Sequence, residues 1–281
     1  MDRFVIKVSC PDRKGIIASV TQVIAECGAN ILDLTQHTAS DAGIFMLKGL
    51  FDAPAPFDRE GFKKAFSPVA EEYGMEWSLF DTKKKERVAI LVSKTNHCLW
   101  ELLLKHQDGE LDCEIPVIIS NHLINEPVAR QFGIPFYRID YSEGKDAAEE
   151  RMRTILSEYR IGLVIMARFM QILSGDFTRA WENRVINIHH GFLPAFKGAK
   201  PYHQAWYKGV KIIGATAHFA NEDLDQGPII AQEVLPVSDR SSINQLVQMG
   251  KDVERRTLVH ALSLYLDRSI FVYENRTFIV R

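Results

Sequence analysis

The 281-residue sequence lacks any excess of charge of one sign: 34 lysines and arginines stand against 36 aspartates and glutamates, a formal net charge of −2. So close a balance excludes the polyelectrolyte attraction to nucleic acid or an anionic membrane that a basic chain would show, and leaves a small molecule as the expected partner. No run approaches the roughly 18 uninterrupted apolar residues of a membrane helix. The N-terminus, MDRFVIKVSCPDRKG, carries charges too early for a signal peptide. Cysteine is scarce as well. Cys10, Cys27, Cys98 and Cys113 form no CxxC pair, and three of them sit in apolar runs, which fits reduced, buried thiols and a cytoplasmic setting. The chain has no HExxH, no HxE with CxxC, no GxSxG, no internal repeat and no low-complexity tract, so neither a zinc hydrolase nor a nucleophilic serine is signalled.

What is present is 46% apolar residues, enough to bury a core in one large domain or two modest ones. The first eighty residues alternate strand and helix patterns in the order βαββαβ: FVIKVSC, KGIIASVTQVIAEC, ANILDLTQHTA, IFMLKGLF, FDREGFKKAFSPVAEEYG and MEWSLF. Pro11 and Asp12 are expected to open the first helix and Gly28 to end it, and Asp41-Ala42-Gly43 to turn the hairpin. The charged run DTKKKER then reads as a linker, giving domains at 1–82 and 83–281. Beyond it, short apolar strands alternate with helices: VAILVS, CEIPVIIS, PFYRI, IGLVIMA and NRVINI. That rhythm predicts an α/β, Rossmann-like, mostly parallel sheet covered on both faces, with ligands beyond the carboxyl ends of its strands. A long helix over about 242–266 and a hairpin at Glu274-Asn275 close the chain.

The segment INIHHGFLPAFKGAKPYHQA leaves the last of those parallel strands. Alternation puts Asn187 and His189 on one face, where a carboxamide donor and an imidazole can converge on a carbonyl oxygen gaining negative charge. A second segment, GATAHFANEDLDQGPII, ends a strand in His218 and carries Asp225 in a turn with Gly227-Pro228. Should the two loops meet, a carboxylate beside His189 would raise the ring's basicity or hold and activate water. The competing reading is metal: His189, His190, His203, His218 and Asp223 or Asp225 include zinc-type ligands. It is disfavoured, because the motifs are missing and His189 and His190 should point to opposite sides of an extended segment. No metal site is expected, and His190 and His203 have no assigned role.

NIHHGFLP followed by LDQGPI resembles the folate-dependent formyltransferases, whose members carry NIHxSxLP and a downstream LDxGPI turn. RFMQILS, Arg168 to Ser174, is similar to the family segment whose backbone lines a pteridine pocket. The resemblance implies that Asn187, His189 and Asp225 are the catalytic group and 10-formyltetrahydrofolate the formyl donor, with no cofactor besides it. It also implies that Met170, Gln171, Leu173, His218, Asp223 and Gly227 surround the folate. Gly191 stands where many members have serine.

The same family's glycinamide ribonucleotide transformylases follow their first strand with a glycine-rich phosphate loop, SGxGSN. Here VAILVS runs into Lys94-Thr95-Asn96-His97-Cys98. Without glycines the phosphate cradle is weakened, which argues against a ribonucleotide amine and for water as the formyl acceptor. The N-terminal βαββαβ order, with PDRKGI and CGANI at its junctions, resembles a ferredoxin-like ACT domain, a regulatory module for small amino acids. That resemblance implies an effector site at Asp12, Arg13, Gly15, Ile16, Asn30 and Ile31, with glycine or methionine as possible effectors, and a homodimer or homotetramer. ACT and formyltransferase-like domains in one chain resemble the formyltetrahydrofolate deformylases. The alternatives carried forward are formyl transfer to an amine and a non-catalytic folate and amino-acid sensor. Formylation of a charged tRNA is disfavoured, since no basic domain follows the catalytic half.

Overall fold

The computed structural model describes residues 1–195 and 201–281, so the FKGAK portion of the histidine-rich segment lies outside the described residues. The chain forms two compact units. The first comprises Met1–Lys85 with Asp267–Phe271 and Phe278–Arg281, and the second Glu86–Leu266 with Val272–Thr277.

In the first unit, β1 (Asp2–Pro11), α1 (Ile16–Glu26), β2 (Asn30–Ala39), β3 (Ile44–Ala53), α2 (Arg59–Tyr73) and β4 (Glu76–Asp81) follow the βαββαβ order read from the sequence. The strands pair antiparallel in the order β2-β3-β1-β4. Period-two burial along β1 turns Phe4, Ile6, Val8 and Cys10 inward, against Val20 and Ile24 of α1 and Phe62 and Phe66 of α2. The entry to α1 differs from the expectation. β1 runs through Pro11, Asp12 donates its N–H to the Gly43 carbonyl at 2.8 Å, and the helix starts only after Gly15. Gly15 has φ +97°, and a Cβ there would lie 2.8 Å from the Tyr73 hydroxyl. Both facts require glycine at this turn.

In the second unit, β5 (Glu86–Val92), β6 (Cys113–Ser120), β7 (Phe136–Arg138), β8 (Leu163–Met166) and β9 (Val185–His189) are parallel, while β10 (Ile212–Phe219) and β11 (Ile229–Pro236) run antiparallel at one edge. The spatial order is β11-β10-β9-β8-β5-β6-β7. Near-continuous burial of β5 and β8 is what a doubly covered parallel sheet requires. The helices α3 (His97–Gln107), α4 (Glu126–Gln131) and α5 (Lys145–Glu158) fall between the parallel strands, as the alternation of strands and helices predicts. The short α6 (Gly175–Ala180) and α7 (Pro201–Tyr207) carry too few turns to show a period. α6 starts where the Ser174 hydroxyl caps the Phe177 N–H at 3.1 Å. The 24-residue α8 (Ile243–Leu266) buries Leu246, Val253, Leu258 and Leu262, and β12 (Ile270–Tyr273) and β13 (Arg276–Ile279) form the closing hairpin. Among the described residues no helix is long and apolar enough to cross a membrane.

Candidate active site

The β9–β10 pair positions the site. Thr216 pairs with His189 and His218 with Asn187, so alternation sets Asn187, His189 and His218 on one face at the carboxyl end of the parallel sheet. A register shift at Ala217/His218 between β10 and β11 re-aims the second imidazole. The Asn187 amide nitrogen lies 3.1 Å from His218 Nε2. His218 Nδ1 lies 2.9 Å from the Phe219 carbonyl, which can only accept. In the neutral ring the proton therefore sits on Nδ1, and Nε2 accepts from Asn187.

Asp225 closes the constellation, with Oδ2 3.2 Å from His189 Nδ1 and Oδ1 3.7 Å from His218 Nε2. The two sequence segments do meet. Its backbone sits in the left-handed region at φ +56°, which aspartate tolerates better than most side chains. The turn that carries it is fixed by Gly227, where a Cβ would lie 1.8 Å from the Phe219 carbonyl oxygen. Burial disfavours the Asp225 carboxylate, but the hydrogen bond from His189 outweighs that penalty and holds its pKa well below the usual carboxylate range. The group is therefore ionised at neutral pH. Its hold on His189 Nδ1–H leaves Nε2 as the proton-accepting atom of that ring.

Beside this group, a pocket is lined by Asn187, His218, Asp223 and Asp225 together with Gln171 and Leu173 from the RFMQILS segment. Met170 and Gly227 are not part of its wall. The Met170 side chain is 60% exposed, and Gly227 serves the turn. The segment is clamped at both ends. Met170 N–H donates to Ser93 Oγ at 2.9 Å, and Ser174 N–H donates to the buried Glu149 carboxylate at 2.6 Å. Thr216 performs a similar task after β9, donating to the Gly191 carbonyl at 2.9 Å and accepting from Leu193 N–H at 3.0 Å. Glu149, Ser93 and Thr216 carry no sequence motif of their own.

A second polar cluster adjoins the first. Glu254 of α8, 1% exposed, takes the Tyr202 hydroxyl on Oε1 and His97 Nε2 on Oε2, both at 2.8 Å, with Arg168 Nε 3.5 Å from Oε2. His97, Cys98 and Glu254 bring metal-ligand atoms within 4.8 Å of one another. A guanidinium already stands at that carboxylate, and burial pushes the Cys98 thiol well above its ordinary pKa, both of which oppose a divalent cation there. The chain bends at His190, so its ring stays 5.4 Å from that of His189 instead of pointing to the opposite face. Burial and then the Arg168 charge push the pKa of His190 down to about 3, so the ring is neutral. His203 is half-buried on α7.

In the first unit, Asp12, Arg13, Gly15 and Ile16 line an open pocket of about 620 Å³ with Gln36 and Thr38 of β2. Arg13 is anchored there, over the Tyr73 ring at 4.2 Å and hydrogen-bonded to the Glu72 carbonyl. Asn30 and Ile31 are not brought to this pocket. They begin β2, opposite Asp52 and Phe51, whereas Thr38 at the pocket end pairs with Phe45. Four residues of strand separate Ile31 from Gln36, the nearer lining residue, and five separate Asn30 from it, on the order of 15 Å.

The family model described as formyl transferase matches residues 86–262, and that described as ACT domain matches residues 4–49. A formyltetrahydrofolate deformylase from Synechocystis is 44% identical over 272 residues, 96% of this chain and 95% of its own. A crystal structure of a formyltetrahydrofolate deformylase from Pseudomonas syringae superposes with a TM-score of 0.96 at 40% identity, covering 99% of this chain and 94% of the other. A glycinamide ribonucleotide transformylase from Symbiobacterium toebii reaches a TM-score of 0.68 at 28% identity, covering 72% of this chain and 97% of its own. Because the deformylases match both units nearly end to end, whereas the transformylase leaves more than a quarter of the chain unmatched, the chain belongs to the formyltetrahydrofolate deformylase family.

Proposed function

We propose that the protein hydrolyses 10-formyltetrahydrofolate to tetrahydrofolate and formate. The observation that carries this reading is the ionised Asp225 carboxylate held 3.2 Å from His189, with Asn187 on the same face as His189 and lining the adjoining pocket. Water adds its oxygen to the formyl carbon, and the carbonyl electron pair moves onto oxygen, where Asn187 N–H stabilises it. His189, oriented by Asp225, accepts the water proton and returns it to the folate nitrogen as the C–N bond breaks. Formic acid then loses its proton to become formate.

Folate is the substrate in this reading and no further cofactor is needed. The N-terminal unit binds a small amino acid such as glycine or methionine at the Asp12–Ile16 turn, the chain assembles as a homodimer or homotetramer, and the enzyme acts in the cytoplasm. Asp225→Ala should lower formate release by about 10³-fold, within the range that general acid–base groups contribute, while folate binding measured by fluorescence quenching stays within a few-fold. Near-normal turnover by this variant would sink the assignment. The likeness to the transformylase sustains a second reading, formyl transfer to an amine; it requires that an added amine, and not water alone, drive tetrahydrofolate release.

A further inference from the structure

β9 ends at His189, so the strand pairing that holds this residue from its N-terminal side has no continuation. Residues 190–195 run in bends and turns, with Gly191 and Leu193 buried. Buried backbone groups outside a ladder need side-chain partners, and Thr216 supplies them here. Its side chain is fully buried. Thr216 Oγ1 donates to the Gly191 carbonyl at 2.9 Å and accepts from Leu193 N–H at 3.0 Å. Its second lone pair takes one Nε2 hydrogen of Gln232 at 3.0 Å, and the other Nε2 hydrogen goes to the Leu193 carbonyl at 2.8 Å. Both carbonyls can only accept, so the direction of each bond is forced. A hydroxyl with one proton and two lone pairs is thereby used completely.

These bonds lie in one row across the sheet. Thr216 is paired with His189 on β9 and with Gln232 on β11, so the three side chains share a face. The chain leaving His189 is folded back over the residue directly beside it and tied there at Gly191 and Leu193. Asp225 holds the ring itself, with Oδ2 3.2 Å from Nδ1. A contact at Nδ1 alone would let the imidazole swing about it as the end of the strand moved. We propose that Thr216 and Gln232 are positioning residues for His189: their clasp on Gly191 and Leu193 fixes the backbone from which the imidazole projects, so that Nε2 stays where it accepts the proton of the attacking water. The inference rests on the hydrolytic reading of Asn187, His189 and Asp225. Neither Thr216 nor Gln232 lines the pocket beside that group, so the clasp acts on the chemical step and not on substrate binding.

The test sets shape against hydrogen bonding in the intact chain. Thr216→Val keeps the volume and removes the hydroxyl, whereas Thr216→Ser keeps the hydroxyl and removes a methyl. Turnover is counted per folate site, titrated with tetrahydrofolate, so that unfolded chains do not enter. Displacing a reacting group by about 1 Å costs on the order of 10²-fold, so Thr216→Val should lower kcat by about tenfold or more with KM nearly unchanged. Thr216→Ser should stay close to the wild type. Gln232→Leu, at the edge strand, should fall between and carries the test if Thr216→Val does not fold. A second readout needs no reaction. In chains carrying 15N-labelled histidine, the His189 ring signals, assigned by their loss in His189→Gln, should move in Thr216→Val and Gln232→Leu and return in Thr216→Ser. Turnover by Thr216→Val equal to or above that of Thr216→Ser overturns the proposal, and so do His189 signals that do not move. The two readings fail separately: a wild-type chain that releases no formate while those signals still move removes the hydrolytic mechanism and keeps the clasp, whereas hydrolysis with unmoved signals removes only the clasp.

Discussion

At the residue scale, Lys7 shows how a fold sets a charge without a motif to announce it. Its ammonium donates to the Ile270 carbonyl and lies 4.4 Å from the centre of the Phe271 ring. Burial, followed by the cationic Arg268 and Lys48, lowers its pKa to about 8. The unfolded chain keeps lysine near ~10.4 and so binds more protons between these values, which makes stability rise with pH across that window. Urea midpoints measured from pH 8 to 10 should climb more steeply for the wild type than for Lys7→Met; equal slopes would show that the folded and unfolded pKa values do not differ. The site residues divide on similar lines. Asn187, His189, His218 and Asp225 were legible because strand alternation and a turn signature place them locally. Arg168, Glu149 and Glu254 were not, because each acquires its meaning from partners on other elements, and no local pattern records that Glu254 of α8 will meet His97 of α3.

At the scale of elements, the strands and long helices follow from period-two and helical patterning, and the departures have local causes. α1 starts later than a proline–aspartate signal suggests because β1 keeps its pairing with β3 as far as Pro11, opposite Ile44. The short helices α6 and α7 escape because two turns of helix show no period. The turn from Asp223 to Pro228 is the element on which the proposed mechanism depends most. Phe219 N–H donates to the Pro228 carbonyl at 2.9 Å, and Gln226 N–H to the Asp223 carbonyl at 3.2 Å, which brings Gly227 against the backbone of Phe219. Gly227→Ala must push that contact apart and carry Asp225 with it. Misplacing a catalytic group by about 1 Å costs on the order of 10²-fold, so turnover should fall by at least that factor. Gly209→Ala is the control for glycine strain alone: it replaces a glycine at φ +64°, but its Cβ would meet nothing within 4 Å. Comparable losses in both variants would assign the effect to general glycine strain and not to the Asp225 turn.

At the scale of the whole molecule, one chain joins a unit with an open pocket at the Asp12–Ile16 turn to a unit that gathers Asn187, His189 and Asp225, and thermodynamics constrains any communication between them. If an amino acid at the Asp12–Ile16 pocket changes folate affinity by some factor, folate must change the affinity for that amino acid by the same factor, because binding free energies close a cycle. Calorimetric titration of the full chain with glycine or methionine, repeated in saturating tetrahydrofolate, should therefore give a ratio of dissociation constants equal to the one obtained by titrating folate with and without the amino acid. Gly15→Ala locates the effect. Its Cβ would meet the Tyr73 hydroxyl at 2.8 Å and the backbone there holds φ +97°, so the turn lining the pocket must shift while the Asp225 constellation in the other unit keeps its own contacts. The expected result is basal formate release near the wild-type rate with the amino-acid response lost. A Gly15→Ala protein that responds as the wild type does would move the effector site away from this turn, and unequal ratios in the two titrations would show that the amino acid acts at more than one place.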